Sequence, residues 1–303
     1  MSTALPHPFA KVVAWLNLIG NLTIIGTGGA VRLTGSGLGC DVWPGCTSTS
    51  FLPGIDEGVH GLIEFGNRTL SGVLGIFALL AVIAVWRLRR RRRDLWVHAW
   101  ILLAGVVVQA LIGLVVVATE LEMSTVGVHY FLSAVLVGVA TSFLLRVGRE
   151  PGPRERAVPV WMLALTHLGT LLLAAVVVVG ILTTGSGPHS GDEDIVRDST
   201  AWEQLAHAHA WVGYALAAVL VVLLVGAIAT RQRRYLGAVI AVIAVVAVQI
   251  AVGIAQSRLG IPPLLVGIHM VLAGITVALG VVLVDATRRP AALRPPPPAG
   301  PAA

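Results

Sequence analysis

Three histidines occupy matching positions in three apolar stretches of the chain. His129, His209 and His269 are each followed four residues later by a small residue: Ser133, Gly213 and Ala273. Imidazole is a common axial ligand of haem iron, and a small residue one turn further along leaves room on the same helix face. Histidines that face each other across a four-helix bundle can hold a porphyrin between them. The pattern predicts bound haem, with proton relay as the alternative.

A fourth apolar stretch, GLIEFGNRTLSGVLG at 61–75, has Asn67 where the other three have histidine. Asparagine is a poor iron ligand, so we expect His129 to bind iron alone, opposite an open or water-filled position. Glu64 and Arg68 stand on the same face, and charges in lipid usually mark function. We expect Glu64 to manage protons and Arg68 to pair with it or with a haem propionate. A purely structural ion pair is the alternative.

Two other histidines compete for the ligand roles. His207 lies two residues before His209, on a different side of the helix, and has Trp211 rather than a small residue one turn further on. We therefore favour His209. His60 lies seven residues before Asn67, about 10 Å along a helix axis. It could bind the same iron only if the porphyrin sat higher in this half of the molecule.

The composition is typical of a protein with several membrane spans. The 303 residues are 56% hydrophobic and 12% charged, whereas soluble domains carry about 25% charge. Each of eight apolar stretches can cross about 30 Å of hydrocarbon. They are predicted near 12–30, 61–86, 97–118, 125–146, 158–182, 203–229, 235–256 and 264–285.

The basic residues predict the orientation of these spans. All but four of the 21 lysines and arginines fall on one side: Lys11 and the runs 87–93, 146–156, 231–234 and 288–294. Both termini are therefore expected in the cytoplasm. Because the charge lies in short runs between spans, the sequence does not favour nucleic-acid binding. The outer side has the longer loops 31–59 and 183–202, and Cys40 and Cys46 in the first could form a disulfide or remain free thiols.

The two halves of the chain repeat each other. Residues 106–138 and 246–278 match at a constant offset of 140, which pairs Gln109, Gly113, Gly127 and His129 with Gln249, Gly253, Gly267 and His269. TGSG occurs at 34–37 and 184–187, each time expected just past the outer end of an odd-numbered helix. Because each unit has an even number of spans, both units cross the membrane in the same sense.

The predicted fold is therefore an all-α polytopic membrane protein, with eight transmembrane helices arranged as two parallel-repeat four-helix bundles. We assign residues 1–150 to the N-terminal half and 151–286 to the C-terminal half. Residues 287–303 are proline-rich and predicted to form a disordered cytoplasmic tail.

Two motifs carry a family resemblance. GGAVRLTGSGLGCDVWPGC at 28–46 and IEFGNR at 63–68, together with the histidine-bearing even helices, resemble heme A synthase, the heme O oxygenase of the COX15/CtaA type. The resemblance extends over residues 12–286. It implies an oxidoreductase that converts the C8 methyl group of heme O to the formyl group of heme A, for aa3-type cytochrome oxidase.

The resemblance also implies roles for single residues. The C-terminal half would hold haem b between His209 and His269, and the N-terminal half would bind heme O with His129 as a ligand. Glu64 matches the family's acidic residue. Cys40 and Cys46 match its outer cysteine pair. Many members have histidine in place of Asn67, so this position departs from the family pattern.

The resemblance further implies dioxygen as co-substrate, the plasma (inner) membrane as location, and heme O synthase and oxidase assembly proteins as partners. Three other functions stay open. They are a di-haem b-type electron-transfer cytochrome without porphyrin turnover, a small-molecule transporter, and a haem-binding protein without chemistry.

Overall fold

The structure is a computed structural model that describes residues 8–187, 189 and 202–291. Within these residues, eight helices are long and apolar enough to cross a membrane. They are α1 Pro8–Leu33, α2 Gly58–Val85, α3 Arg93–Ala118, α4 Met123–Val147, α5 Val160–Ser186, α6 Trp202–Ala229, α7 Arg233–Arg258 and α8 Pro263–Ala286. A short 3₁₀ turn, Trp86–Leu88, follows α2, and two strands, β1 Arg154–Arg156 and β2 Arg288–Pro290, complete the described elements. The predicted all-α polytopic fold is confirmed.

Helices suit these segments because lipid offers no partner for free backbone groups. Polar side chains within the spans are also satisfied locally, as hydroxyls that donate to the carbonyl one turn earlier. Thr141 donates to Val137 at 2.8 Å, and Thr166 donates to Met162 at 2.7 Å. At the start of α4, the side chain of Glu122 caps the helix by accepting from the N–H of Ser124. These spans therefore satisfy part of their polar side chains and backbone groups within the helix itself.

The helices form two rings of four. In each half, consecutive helices pack together and the last packs against the first, which closes the rings α1–α4 and α5–α8. The diagonal pairs α2/α4 and α6/α8 have no Cα atoms within 8 Å of each other in the described residues. The even-numbered helices, which carry the aligned histidines and Asn67, therefore face each other across the middle of each ring.

Two hydrophobic cores, one centred in each half, lie toward the predicted cytoplasmic ends of the helices, and the first also includes a residue of α8. In the N-terminal half, the core includes Val13 near the start of α1, Leu95 near the start of α3 and Phe143 near the end of α4. In the C-terminal half, it includes Met162 early in α5 and Leu223 late in α6. The aligned residues lie at the opposite ends of their helices. They therefore lie on the outer side of both cores.

The two halves meet with equivalent residues in contact. The Tyr130 hydroxyl of α4 donates to the Met270 carbonyl of α8 at 3.1 Å, and these residues stand 140 positions apart in the chain. Helix α4 also packs on α5, and its counterpart α8 packs on α1. Such reciprocal contacts arise when two like units are related by a two-fold axis between α4 and α8. The structure thus agrees with the predicted repeat.

Two boundaries differ from the sequence expectations. The first three residues of the second TGSG, 184–186, belong to the last turn of α5, where the Thr184 hydroxyl donates to the Gly180 carbonyl at 2.8 Å. The predicted tail 287–303 is structured at its start, because Arg288–Pro290 pairs antiparallel with Arg154–Arg156. Residues 292–303 and most of the predicted outer loop 183–202 lie outside the described residues.

Candidate functional site

His209 and His269 face each other across the C-terminal ring. Their ring centroids are 6.0 Å apart and the ring planes meet at 67°. An imidazole nitrogen binds a metal at about 2 Å, so two rings that share one metal have centres about 6 Å apart. The two imidazoles therefore stand at the separation that a single iron between them requires.

A hydrogen bond fixes the tautomer of His209. Its Nδ1 donates to the Val176 carbonyl of α5 at 3.0 Å. Because a carbonyl only accepts, Nδ1 carries the proton and Nε2 keeps its lone pair. Metal-binding histidines commonly use this arrangement, with the second ring nitrogen bound to a carbonyl. His207, by contrast, is exposed and bonds to the Glu203 carbonyl of its own helix at 2.8 Å, away from His269.

Each of the four aligned residues packs against a glycine of the preceding odd-numbered helix. Where a Cβ would replace the glycine hydrogen, it would stand 2.8 to 3.9 Å from the side chain that faces it. The pairs are Gly28 with Asn67, Gly113 with His129, Gly180 with His209, and Gly253 with His269. The sequence pattern had matched only Gly113 and Gly253 as part of the repeat. The fourfold recurrence makes the four sites structurally equivalent.

The other two aligned histidines each have a buried ring nitrogen without a hydrogen-bond partner among the described residues. Nδ1 of His129 and Nδ1 of His269 are buried and have no hydrogen-bond partner in the described part of the chain. Buried polar atoms without partners are costly and call for an explanation. The facing imidazoles, the glycines behind them and the unpaired Nδ1 atoms together fit a group bound through iron.

Asn67 occupies the fourth equivalent position and is already bonded to its neighbour. The Thr27 hydroxyl of α1 donates to Asn67 Oδ1 at 2.7 Å. This bond orients the carboxamide, so that its oxygen is directed to α1 and its NH₂ group remains a donor. The N-terminal half thus has one imidazole, His129, and one oriented amide where the C-terminal half has two imidazoles.

Cys40 and Cys46 form a disulfide, which confirms that alternative of the sequence analysis. Glu64 lies under this loop and is only 5% exposed. One of its carboxylate oxygens accepts from the Cys40 N–H at 2.8 Å, and the other pairs with Arg68. Both oxygens of Glu64 are therefore engaged in the described structure.

Arg68 holds the same loop through its main chain. Its Nη1 donates to the Val42 carbonyl at 2.5 Å and to the Gly45 carbonyl at 2.6 Å, and its Nη2 lies 3.4 Å from the Cys40 carbonyl. The guanidinium is thus directed at the disulfide loop rather than along the helix toward Asn67. The ion pair with Glu64 that the sequence predicted as one alternative is present. Together the two side chains bind the disulfide loop to α2.

His60 lies at the edge of the same region. It is exposed in the first turns of α2, and its Nδ1 pairs with the buried Ser36 hydroxyl at 2.9 Å. A Cβ at Gly39 would stand 2.5 Å from the His60 main chain, so loop and helix are in close contact here. The structure places His60 beside the disulfide loop and leaves its role as an alternative ligand a hypothesis.

The aligned residues and the glycines behind them lie on all eight helices, and a match to a known family covers the same part of the chain. Residues 11–281 match the family profile described as cytochrome oxidase assembly protein, COX15-CtaA. The chain belongs to this family. As a member of the COX15-CtaA family, it has every candidate site residue inside the matched region.

The chain is also similar to curated proteins that are named heme A synthase. The chain is 30% identical over 138 residues to the heme A synthase of Geobacillus thermodenitrificans, which covers 44% of this chain and 42% of that protein. It is 32% identical over 131 residues to the heme A synthase of Geobacillus kaustophilus, covering 42% of this chain and 40% of the relative. With the heme A synthase of an Exiguobacterium strain it shares 28% identity over 164 residues, 53% and 52% of the two chains. The matches thus span about half the length of the relatives.

Proposed function

We propose that this COX15-CtaA family member is a heme A synthase, an oxidoreductase that converts the C8 methyl group of heme O to the formyl group of heme A. The facing pair His209 and His269, whose ring centroids are 6.0 Å apart, is the observation that carries the proposal. The unequal set at the equivalent positions of the other half, His129 with Asn67, supports two sites with different tasks. The named relatives support the same activity.

The C-terminal half is proposed to hold haem b between His209 and His269. This haem would supply one-electron transfer, for which an iron with two protein ligands is well suited. The protein's part is to hold the two imidazoles at a fixed separation. The Val176 carbonyl orients His209, and Gly180 lets the ring approach the backbone of α5 closely.

The N-terminal half is proposed to bind the substrate, heme O. His129 would bind its iron from α4, and Asn67 on α2 would face the opposite side without binding it. Asn67 Oδ1 accepts from the Thr27 hydroxyl, the NH₂ group is a hydrogen-bond donor, and a carboxamide is a poor iron ligand. An open position on that side would admit dioxygen. The alternative, a second ligand supplied by His60, requires the porphyrin to sit nearer the disulfide loop.

The proposed reaction oxidises one methyl carbon twice. Two hydroxylations, each consuming dioxygen, two electrons and two protons, give a gem-diol, and loss of water from it gives the formyl group. The packed cores exclude water from the cytoplasmic side of the site, and the disulfide loop lies at the outer side. Glu64, buried beneath the loop, is the carboxylate proposed to handle protons. To do so, it must exchange its bond to Arg68 or to the Cys40 N–H.

The proposed setting is the plasma (inner) membrane, with both termini in the cytoplasm. The basic runs support this orientation, because they lie at the ends of the helices opposite the disulfide loop. Heme O synthase as supplier and cytochrome oxidase assembly proteins as acceptors are the proposed partners. The lipid bilayer surrounds the spans.

Pigment extraction tests the function directly. The full chain is expressed with a heme O supply, and extracted haems are separated by chromatography. We expect heme A, and we expect His129→Ala to abolish it while haem b remains. A di-haem electron-transfer cytochrome would give two six-coordinate haems and leave heme O unchanged. A haem-binding protein without chemistry would retain heme O unaltered, and a transporter would be colourless after purification. Any of these three results would overturn the proposal.

A further inference from the structure

Gln109 and Gln249 occupy the same repeat position, four residues before the glycines that back His129 and His269. Gln109 Nε2 on α3 donates to the His129 carbonyl at 2.9 Å and to the Ser133 hydroxyl at 2.6 Å. The carboxamide is therefore held beside the backbone of the histidine. Its oxygen, Oε1, is buried and has no partner among the described residues, and the same is true of Gln249 Oε1.

Each half thus contains two complementary groups that lack partners. One is a carboxamide oxygen, which accepts, and the other is an imidazole Nδ1, which can donate once Nε2 has bound a metal. A single hydrogen bond between them would satisfy both. Buried polar groups without partners are destabilising. The same coincidence in two repeats makes accidental placement a poor explanation.

The third histidine has an acceptor for its Nδ1 at the same position. His209 Nδ1 donates to the carbonyl of Val176, and Val176 also lies four residues before the backing glycine, Gly180. At this site the histidine ring lies closest to its backing glycine, near enough to use the main chain of α5 as acceptor. His269 and His129 stand farther from their glycines, 3.5 and 3.7 Å from the ideal Cβ. At these two sites the residue four positions before the glycine is a glutamine.

We propose that Gln109 and Gln249 are positioning residues, whose carboxamide oxygens accept the Nδ1–H of His129 and His269 when these histidines bind haem iron. The proposal rests on the proposed haem-binding function. Such a bond fixes the ring orientation and makes the imidazole a more basic ligand. The C-terminal site would then have one main-chain acceptor, at Val176, and one side-chain acceptor, at Gln249, of which only the second can be altered by substitution.

A second glutamine on α7 is the rival acceptor. Gln256 Oε1 is also buried and has no partner in the described chain. Gln256 lies three residues after Gly253, and the repeat places a valine, Val116, at the matching position of α3. Because His129 shows the same free Nδ1 without such a glutamine, the repeat favours Gln249. Gln256 therefore provides a matched control on the same helix.

The test is a redox titration of haem b in the purified full-length protein, with Gln249→Leu, Gln249→Glu, Gln256→Leu and Gln109→Leu. Loss of the acceptor in Gln249→Leu makes His269 less basic, which disfavours ferric iron and raises the midpoint potential. The carboxylate in Gln249→Glu is a stronger acceptor for the His269 Nδ1–H and should lower the midpoint potential. A tenfold change in the equilibrium constant between ferric and ferrous haem corresponds to about 59 mV for a one-electron couple. Haem affinity should fall about 10- to 100-fold in Gln249→Leu.

We expect the midpoint potential of haem b to shift in opposite directions in the two Gln249 variants. Gln256→Leu and Gln109→Leu should leave the potential of this haem unchanged. A merely structural role would move both Gln249 variants in the same direction, and this would overturn the proposal. So would a shift produced by Gln256→Leu. If Gln249→Leu does not retain haem, the potential can still be measured in Gln249→Glu, whose side chain has the same size. Loss of haem from both variants would count against a role as acceptor.

The same experiment separates this inference from the proposed function. If the wild type carries a bis-histidine haem and produces heme A, but its potential is indifferent to Gln249, only the positioning role is lost. If the wild type binds no haem, the proposed function and the positioning role both fail.

Discussion

The main-chain N–H of Cys40 donates to the Glu64 carboxylate at 2.8 Å, although the two residues belong to an outer loop and a membrane-spanning helix. Arg68, one turn further along α2, pairs with the other carboxylate oxygen and donates to loop carbonyls at Val42 and Gly45. The charged pair in this apolar helix thus has a clear structural task. It replaces the water that would otherwise solvate the loop backbone at the outer end of the N-terminal half.

Arg68→Gln should destabilise the protein strongly. It leaves Glu64, which is 5% exposed, without its cation, and such uncompensated buried charges cost about 3–5 kcal/mol. Denaturant titration in detergent micelles would measure the loss. The double variant Glu64→Gln/Arg68→Gln removes both charges and should recover part of it.

The surface pair Arg289 and Glu155 provides the control, because these side chains are 61% and 42% exposed. Glu155→Gln should change the free energy of unfolding by about 0–1 kcal/mol. Equal effects of the two substitutions would show that Glu64 and Arg68 are solvated like a surface pair.

The disulfide and Arg68 should act on the same loop and therefore be coupled. Cys40→Ser/Cys46→Ser frees one cross-link, and disulfides typically contribute about 2–4 kcal/mol. Without it, the loop is more mobile and the bonds from Arg68 hold it less well. In a double-mutant cycle, the combined loss should be smaller than the sum by about 0.5–3 kcal/mol. Strict additivity would mean that the loop keeps its conformation without the disulfide.

Much of this fold was predictable because lipid allows few solutions. A span needs about 20 apolar residues and must satisfy its own backbone, so hydropathy alone indicates all eight helices. The aligned histidines could be recognised because an i to i+4 pattern marks a helix face. The constant offset of 140 between the halves further predicted that His129 and His269 are equivalent.

Other features have no signature in the sequence. Arg68 bonds to main-chain carbonyls of the disulfide loop, and carbonyls are the same in every residue. The sequence does not mark Gly28 and Gly180 as backing glycines, because the long outer loops separate them from Asn67 and His209. In the other two pairs, a short turn keeps the spacing between glycine and histidine constant.

Ligand substitutions should distinguish the two histidines of α6. His209→Ala should remove the haem of the C-terminal half, because it leaves His269 without the partner imidazole that stands 6.0 Å away. His207→Ala should retain the pigment, because His207 is exposed and bonded to its own helix. Absorption spectra of the purified variants measure this. Pigment retained in the triple variant His129→Ala/His209→Ala/His269→Ala would end the case for imidazole ligation.

Asn67→His should convert the N-terminal site to the pattern of the C-terminal one. An imidazole replaces the amide that Thr27 now orients, and it can bind the iron opposite His129. We expect a new six-coordinate, low-spin signal from this site by electron paramagnetic resonance. A low-spin signal that this site already gives in the wild type, unchanged by Asn67→His, would instead indicate that the iron already has two ligands. In that event, His60→Ala should abolish the low-spin signal.

Gly180→Ala should weaken haem binding in the C-terminal half without unfolding the protein. An ideal Cβ at Gly180 would stand 2.8 Å from His209 Cε1 and 3.1 Å from its Nδ1, so the ring must move and its bond to Val176 is strained. Because ring orientation supports the iron bond, we expect about a 10- to 100-fold loss of haem affinity, measured by transfer to apomyoglobin.

Gly237→Ala on α7 is the matched control, since nothing lies within 4 Å of a Cβ at that position. This control should bind haem normally and be more stable by up to about 1 kcal/mol, because alanine is the better helix former. If both variants bind haem equally well, the close approach of Gly180 to His209 does not position the ligand.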